Sequence, residues 1–242
     1  MSHALPEYQP NIAHLITEDD EPVDNIPSAK QQRLLTETLY SSWPGPGGGR
    51  KFLAEANIGV FYLAKNPAIV PDVLLSLDVE VHPDFWSKEH RSYFLWEFGK
   101  PPDVVIEIVS NQEGGEDSDK LRKYERMKIG YYIIFDPEQY LSAEVLRIFR
   151  LEGFTYRPHE SLELPEIGLG LVLWQGEFEG VQNTWLRWTD ERGNLILTGR
   201  ELAEKERAEK EQERAEKEAA MQRAEKLAAR LRELGQDPDK LR

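Results

Sequence analysis

Residues 101–124 read PPDVVIEIVSNQEGGEDSDKLRKY, and residues 131–137 follow with YYIIFDP. The first block opens on a Pro pair and runs into VVIEIV, an apolar stretch of strand length. Residues 118–130, SDKLRKYERMKIG, carry Leu121, Tyr124, Met127 and Lys128 on one side of a helix that Gly130 is placed to stop. YYIIFDP is then a second buried strand. A strand, a crossover helix and a second strand with continuous apolar runs is the pattern of parallel pairing buried on both faces. The expected fold class is therefore α/β, of the α+β type with a mixed sheet.

The same punctuation extends outward. A helix is expected over 28–43, SAKQQRLLTETLYSSW, behind a Ser28 cap, ending at PGPGGG. Strands are expected at 52–64, 71–81, 143–153 and 169–176. A last hairpin over 184–198 would turn at Arg192, Gly193 and Asn194. Residues 1–26 hold three Pro and the acidic run EDDE and read as a loose arm. From Arg200 the composition changes to Ala, Glu, Lys, Arg and Gln, with AEKE at 203–206, 208–211 and 215–218. That is a long solvated helix with i, i+4 pairs such as Glu213 with Lys217. Its 4,3,4,3 apolar spacing appears only at Ala220, Ala224, Leu227, Leu231 and Leu234. Either a coiled coil with a second copy or a partner helix, or a lone charged helix, satisfies so short a seam. The expected organisation is an arm at 1–26, a globular domain at 27–198, a charged helix at 199–235 and a tail at 236–242.

The chain of 242 residues has no Cys, which removes disulfides, zinc–thiolate sites and thiol nucleophiles together and agrees with a reducing compartment. No run approaches the roughly 18 apolar residues that span a bilayer, and the N-terminus lacks a basic flank leading an apolar stretch, so a cytoplasmic location without membrane contact is expected. The net charge is −14. Arg200–Leu234 and the last eight residues each balance, so the whole excess lies in residues 1–199. An acidic domain argues against a broad phosphate-binding surface and leaves room only for a local basic patch.

Glu107 is the anomaly in the deciding stretch. Strand alternation turns Asp103, Val105, Glu107 and Val109 to one face and Val104, Ile106 and Ile108 to the other. A carboxylate in mid-strand is costly without a partner. Asp72, after Pro71, shares a face with Leu74, Ser76 and Asp78 on the earlier strand. Two carboxylates converging from neighbouring strands suit a hard divalent cation, Mg²⁺ or Mn²⁺. Lys120, in the first turn of the following helix, is the candidate ammonium for a developing phosphate charge. The alternatives are a structural acid at Glu107 paired with Arg or Lys, a strand-entry residue at Asp72, and a wet helix face for Lys120, Arg122, Lys123, Arg126 and Lys128.

PDVLLSLD (71–78), PPDVVIEIVS (101–110), KLRKY (120–124) and YYIIFDP (131–137), in that order, resemble the Uma-two family of restriction endonucleases, a branch of the PD-(D/E)XK nuclease superfamily. The resemblance covers about residues 27–198. It implies a restriction-endonuclease-like core with flanking helices, a divalent-metal site built from Asp72 and Glu107, and DNA as substrate. The superfamily's lysine two residues after the acid is absent, because position 109 is Val; in this branch the matching lysine is Lys120. The expected function is Mg²⁺-dependent hydrolysis of DNA phosphodiester bonds by an activated water, with catalytic residues Asp72, Glu107 and Lys120. The second expectation is a nuclease fold kept as a binding or regulatory module that acts through its C-terminal helix.

Other candidates carry less. GPGGG at 45–49 lacks the G-K-[ST] ending of a phosphate loop, and Ser110 lacks a G-x-S-x-G context. His82, His90 and His159 have no ligand spacing. The aromatics of SYFLWEFG (92–99) and TWLRW (184–188) are expected in core or edge packing, with base stacking as the alternative.

Overall fold

A computed structural model describes residues 25–110 and 119–234. The expected arm up to Asp24, residues 111–118 of the loop after Glu107, and the tail lie outside the described residues. The chain divides into two compact units, Met1–Ile196 and Leu197–Arg242.

In the first unit the strand–helix–strand stretch forms as its sequence predicts. β5 (Val104–Ile108) and β6 (Tyr131–Phe135) pair in parallel, Val104 against Tyr131, with α3 (Leu121–Met127) between them in the chain. Around this pair lies a six-stranded mixed sheet ordered β1-β3-β5-β6-β7-β8, where β1 is Phe52–Ala56, β3 Val73–Leu77, β7 Leu146–Glu152 and β8 Thr155–Pro158. Every residue of β5 and β6 is buried, as expected for strands covered on both faces. Val104, Ile106 and Ile108 enter one core cluster; Val105 and Val109 enter the other.

The first cluster is closed by α1 (Ile26–Ser42) and by an antiparallel sheet of β9 (Glu163–Leu164), β10 (Leu169–Phe178) and β11 (Val181–Asp190). The Gln31 side chain of α1 takes the place of strand backbone. Its amide donates to Leu186 O at 2.8 Å and its oxygen accepts from Leu186 N at 3.0 Å, satisfying one residue of edge strand β11. Lys30 and Arg33 both reach Glu179 at the tip of the β10–β11 hairpin. That tip needs left-handed backbone, and Glu179 (φ 47°) with Gly180 (φ 76°) provides it. The second cluster is closed by Tyr124 and Met127 of α3 and by Tyr93.

Several expected boundaries move, each for a local reason. The helix expected at 28–43 starts at Ile26, because Asn25, not Ser28, is its cap: Asn25 Oδ1 accepts the Ser28 N–H at 2.9 Å. The strand expected over 52–64 breaks at Asn57, whose φ of 54° leaves the strand region, and resumes as β2 (Val60–Phe61). The strand expected over 71–81 ends at Leu77, because Asp78 also turns left-handed (φ 59°). The second helix ends on Lys128 (φ 62°) rather than Gly130, and Lys128 is exposed rather than on the apolar side. Gly130 serves a close approach instead, since a Cβ there would meet Asp103 O at 3.1 Å. SYFLWEFG yields β4 (Tyr93–Phe94), parallel to β2, and a short α2 (Leu95–Phe98). Tyr93, Phe94, Trp185 and Trp188 are core residues. The hairpin expected over 184–198 reduces to a turn capped by Asp190 and one bridge between Thr189 and Leu195.

The second unit contains α4 (Gly199–Glu233), 35 residues with none buried. Thr198 and Glu201 cap it reciprocally, Thr198 Oγ1 accepting from Glu201 N and Glu201 Oε2 from Thr198 N. Exposed ion pairs such as Glu213–Lys217 at 2.6 Å run along it. No described helix is long and apolar enough to cross a membrane.

Candidate functional site

The antiparallel register of β3 and β5 pairs Val73 with Ile106, so the next position outward sets Asp72 against Glu107. Alternation places both on the sheet face that α3 covers, together with Leu74 and Val105. Asp72 Oδ2 accepts the Ile108 N–H at 2.6 Å, so this carboxylate sits at the end of the central strand beside Glu107. Its Oδ1 accepts from Gln32 Nε2 at 3.1 Å.

Glu107 is 1% exposed. Its two oxygens have separate partners from α3 and the residue before it. Lys120 Nζ donates to Oε2 at 2.8 Å and the Tyr124 hydroxyl donates to Oε1 at 2.5 Å. Lys120 and Tyr124 are one helical turn apart and so face the same way. Val109, in the superfamily's lysine position, is buried in the same cluster. The ammonium thus comes from 13 residues downstream, over the same sheet face.

Burial pushes the Glu107 carboxyl up to about 8, and the negative charge of Asp72 adds to the push. The ammonium of Lys120 and the hydrogen bonds from Lys120 and Tyr124 pull the other way. Glu107 is therefore poised between acid and carboxylate near neutral pH, and any further cation would draw off its proton. Burial and the adjacent Glu107 hold the Tyr124 phenol well above its usual range, so it remains a donor.

The donor set suits a hard divalent cation in its chemistry: two carboxylates on adjacent strands, oxygen ligands only, and a like-charge conflict that a cation relieves. A carboxylate oxygen has two lone pairs, so an oxygen that accepts one hydrogen bond can also face an ion. Asp72 and Glu107 are the residues that could hold such an ion. Among the described residues no group of three or more His, Cys, Asp or Glu is gathered as a metal cluster, so the remaining positions would fall to backbone, water or substrate oxygens.

The other acids and histidines lie elsewhere. Asp103 accepts from Leu77 N and Lys100 Nζ, and Asp78 is clamped by Arg50 through two bonds of 2.6 Å. The His82 and His90 rings stack 3.8 Å apart, an encounter that the sequence does not signal. Residues not foreseen at the site are Tyr124 as the second donor to Glu107, and Gln32 with Asn57 beside Asp72. Tyr124 left a signal in its i, i+4 spacing from Lys120. Gln32 left none, being brought there by long-range packing.

A family model described as Uma2, putative restriction endonuclease, matches residues 18–176, which spans both carboxylates, Lys120 and the strands that carry them. The mixed sheet flanked by helices agrees with the restriction-endonuclease-like core that the resemblance implies. No curated protein and no solved structure matches the chain.

Proposed function

The chain belongs to the Uma2 family, described as putative restriction endonucleases, and from that premise we propose that its substrate is DNA and that it hydrolyses DNA phosphodiester bonds at a site formed by Asp72, Glu107 and Lys120. The observation that carries this reading is the ammonium of Lys120, 2.8 Å from the buried Glu107 on the face where Asp72 also lies. Asp72 and Glu107 would hold Mg²⁺ or Mn²⁺, which supplies Lewis-acid polarisation of a phosphate oxygen and an acidified water.

The chain's own groups have distinct parts. Tyr124 fixes one oxygen of Glu107 and leaves the other to the ammonium or an incoming ion. Lys120, 26% exposed at its side chain, reaches solvent from the buried acid and is placed to face a phosphate charge. Lys123, Arg126 and Lys128 of the basic run from Arg122 onward include the exposed groups on or beside α3, a local basic patch where a nucleic-acid backbone can approach an otherwise acidic domain.

Lys120→Met tests the assignment. Plasmid cleavage in Mg²⁺ should fall by about 10²–10³-fold while binding of the cation to the protein persists. Cleavage at the parent rate in this variant contradicts a role for Lys120.

A second reading concerns α4, whose 35 residues include none that is buried. Met221 and Leu227 are both about two-thirds exposed, and nothing along the apolar seam from Ala220 to Leu234 is buried. In this reading the nuclease fold is a binding or regulatory module and α4 pairs with a second copy. Sedimentation equilibrium is expected to give a dimer for the parent and a monomer for Leu227→Glu with Leu231→Glu. A monomeric parent removes this reading.

A further inference from the structure

Glu107 meets an ammonium and a phenol from the α3 side. Asp72 accepts from two amides on other elements, Gln32 Nε2 on Oδ1 and the Ile108 N–H on Oδ2. Gln32 is itself tied to Asn57 by a reciprocal amide pair. Gln32 Nε2 donates to Asn57 Oδ1 at 3.3 Å, and Asn57 Nδ2 donates to Gln32 Oε1 at 3.1 Å. Asn57 adopts the left-handed region at φ 54°, directly after β1, and its N–H donates to Asp72 O at 3.2 Å. A non-glycine residue held in that region at a site edge indicates that the surrounding contacts determine its position.

We infer that Gln32 and Asn57 act together as a positioning clamp on Asp72, one that sets the plane of its carboxylate toward Glu107 before any cation arrives. The inference rests on the reading of Asp72 and Glu107 as the metal-holding pair. Gln32 is 4% exposed, in the middle of a helix anchored by its neighbour Gln31 to β11 and by the backbone carbonyl of Leu35, which accepts from Trp188 Nε1. The amide that orients Asp72 is therefore fixed by the packing of α1, on a different element from the α3 groups that hold Glu107. Gln32 and Gln31 are adjacent in sequence but serve different ends: Gln31 completes an edge strand, and Gln32 orients an acid. Ligand-orienting partners of this kind typically change metal affinity by about 10–100-fold when removed.

Two variants separate the clamp from general stability. Gln32→Leu keeps side-chain bulk without the amide, and Asn57→Gly keeps the left-handed backbone without the amide. In metal-free protein, hydrogen exchange at the Ile108 amide, which donates to Asp72, should quicken by about 10-fold or more in both variants while other β5 amides keep their protection. Titration with Mn²⁺ alone should show affinity reduced by about 10-fold or more, with the double variant little worse than either single one because the pair acts as a unit. In cleavage assays kcat should fall at fixed Mg²⁺ with KM for DNA unchanged, and higher Mg²⁺ should recover the rate, which simple destabilisation would not give. Parent-like Ile108 exchange in both variants overturns the clamp. So does parent-like Mn²⁺ affinity. If the parent itself binds no Mn²⁺, the proposed function fails, and Ile108 exchange alone still decides the clamp.

Discussion

The Glu107→Gln variant is expected to lose Mg²⁺-dependent DNA cleavage by about 10³-fold or more while becoming more stable than the parent above neutral pH. Glutamine keeps the shape and can still accept from Lys120 or Tyr124, but it brings no charge to a cation. The stability change follows from the direction in which Glu107 is displaced. An unfolded glutamate titrates near its usual value of about 4.3, whereas the buried carboxyl is pushed up to about 8. Below about pH 4 both states are protonated and the group costs nothing. Between about 4.3 and 8 the unfolded chain releases the proton that the folded chain retains, so parent stability falls as pH rises and then levels off. Glutamine does not titrate, so its variant lacks this loss. The melting temperature of the variant relative to the parent should therefore climb from about pH 5 to about pH 8.5. A constant difference across that range would mean that Glu107 is ionised and fully compensated in the folded protein.

Trp188→Ala is expected to be the most damaging core substitution, at about 3–5 kcal/mol. Trp188 is 1% exposed, belongs to the cluster between the six-stranded sheet and β10–β11, and its Nε1–H donates to Leu35 O of α1 at 2.8 Å. Removing it opens a cavity and loosens the helix that carries Gln31 and Gln32. Thermal unfolding should shift down by roughly 10 °C. A shift under about 3 °C would show that α1 is held mainly by its other contacts.

The deciding stretch was legible because two signals coincided. Continuous apolar runs identified β5 and β6 as strands buried on both faces, and the helix between them required parallel pairing. Alternation then placed Glu107 on the face opposite Ile106 and Ile108, where it stands. The same signal could not see Asn57 or Asp78, each a single left-handed residue that ends a strand earlier than its apolar pattern suggests. Nor could it see β2 pairing with β4, because neither two-residue strand has a period of its own. At the site, Asp72, Glu107 and Lys120 stood out by type and spacing. Gln32 could not, since a glutamine at helical spacing reads as an ordinary polar position until packing buries it. The cap of α1 shows a milder version: Asn25 and Ser28 are both good caps, and only the backbone geometry chooses between them.

One activity decides whether Asp72, Glu107 and Lys120 form a nuclease site. Purified protein incubated with supercoiled plasmid should nick or linearise it in Mg²⁺ or Mn²⁺, stop when EDTA is added, and show neither product in the parallel Glu107→Gln preparation. Intact plasmid after incubation of folded parent protein with either ion, or cleavage that Glu107→Gln retains in full, would contradict it.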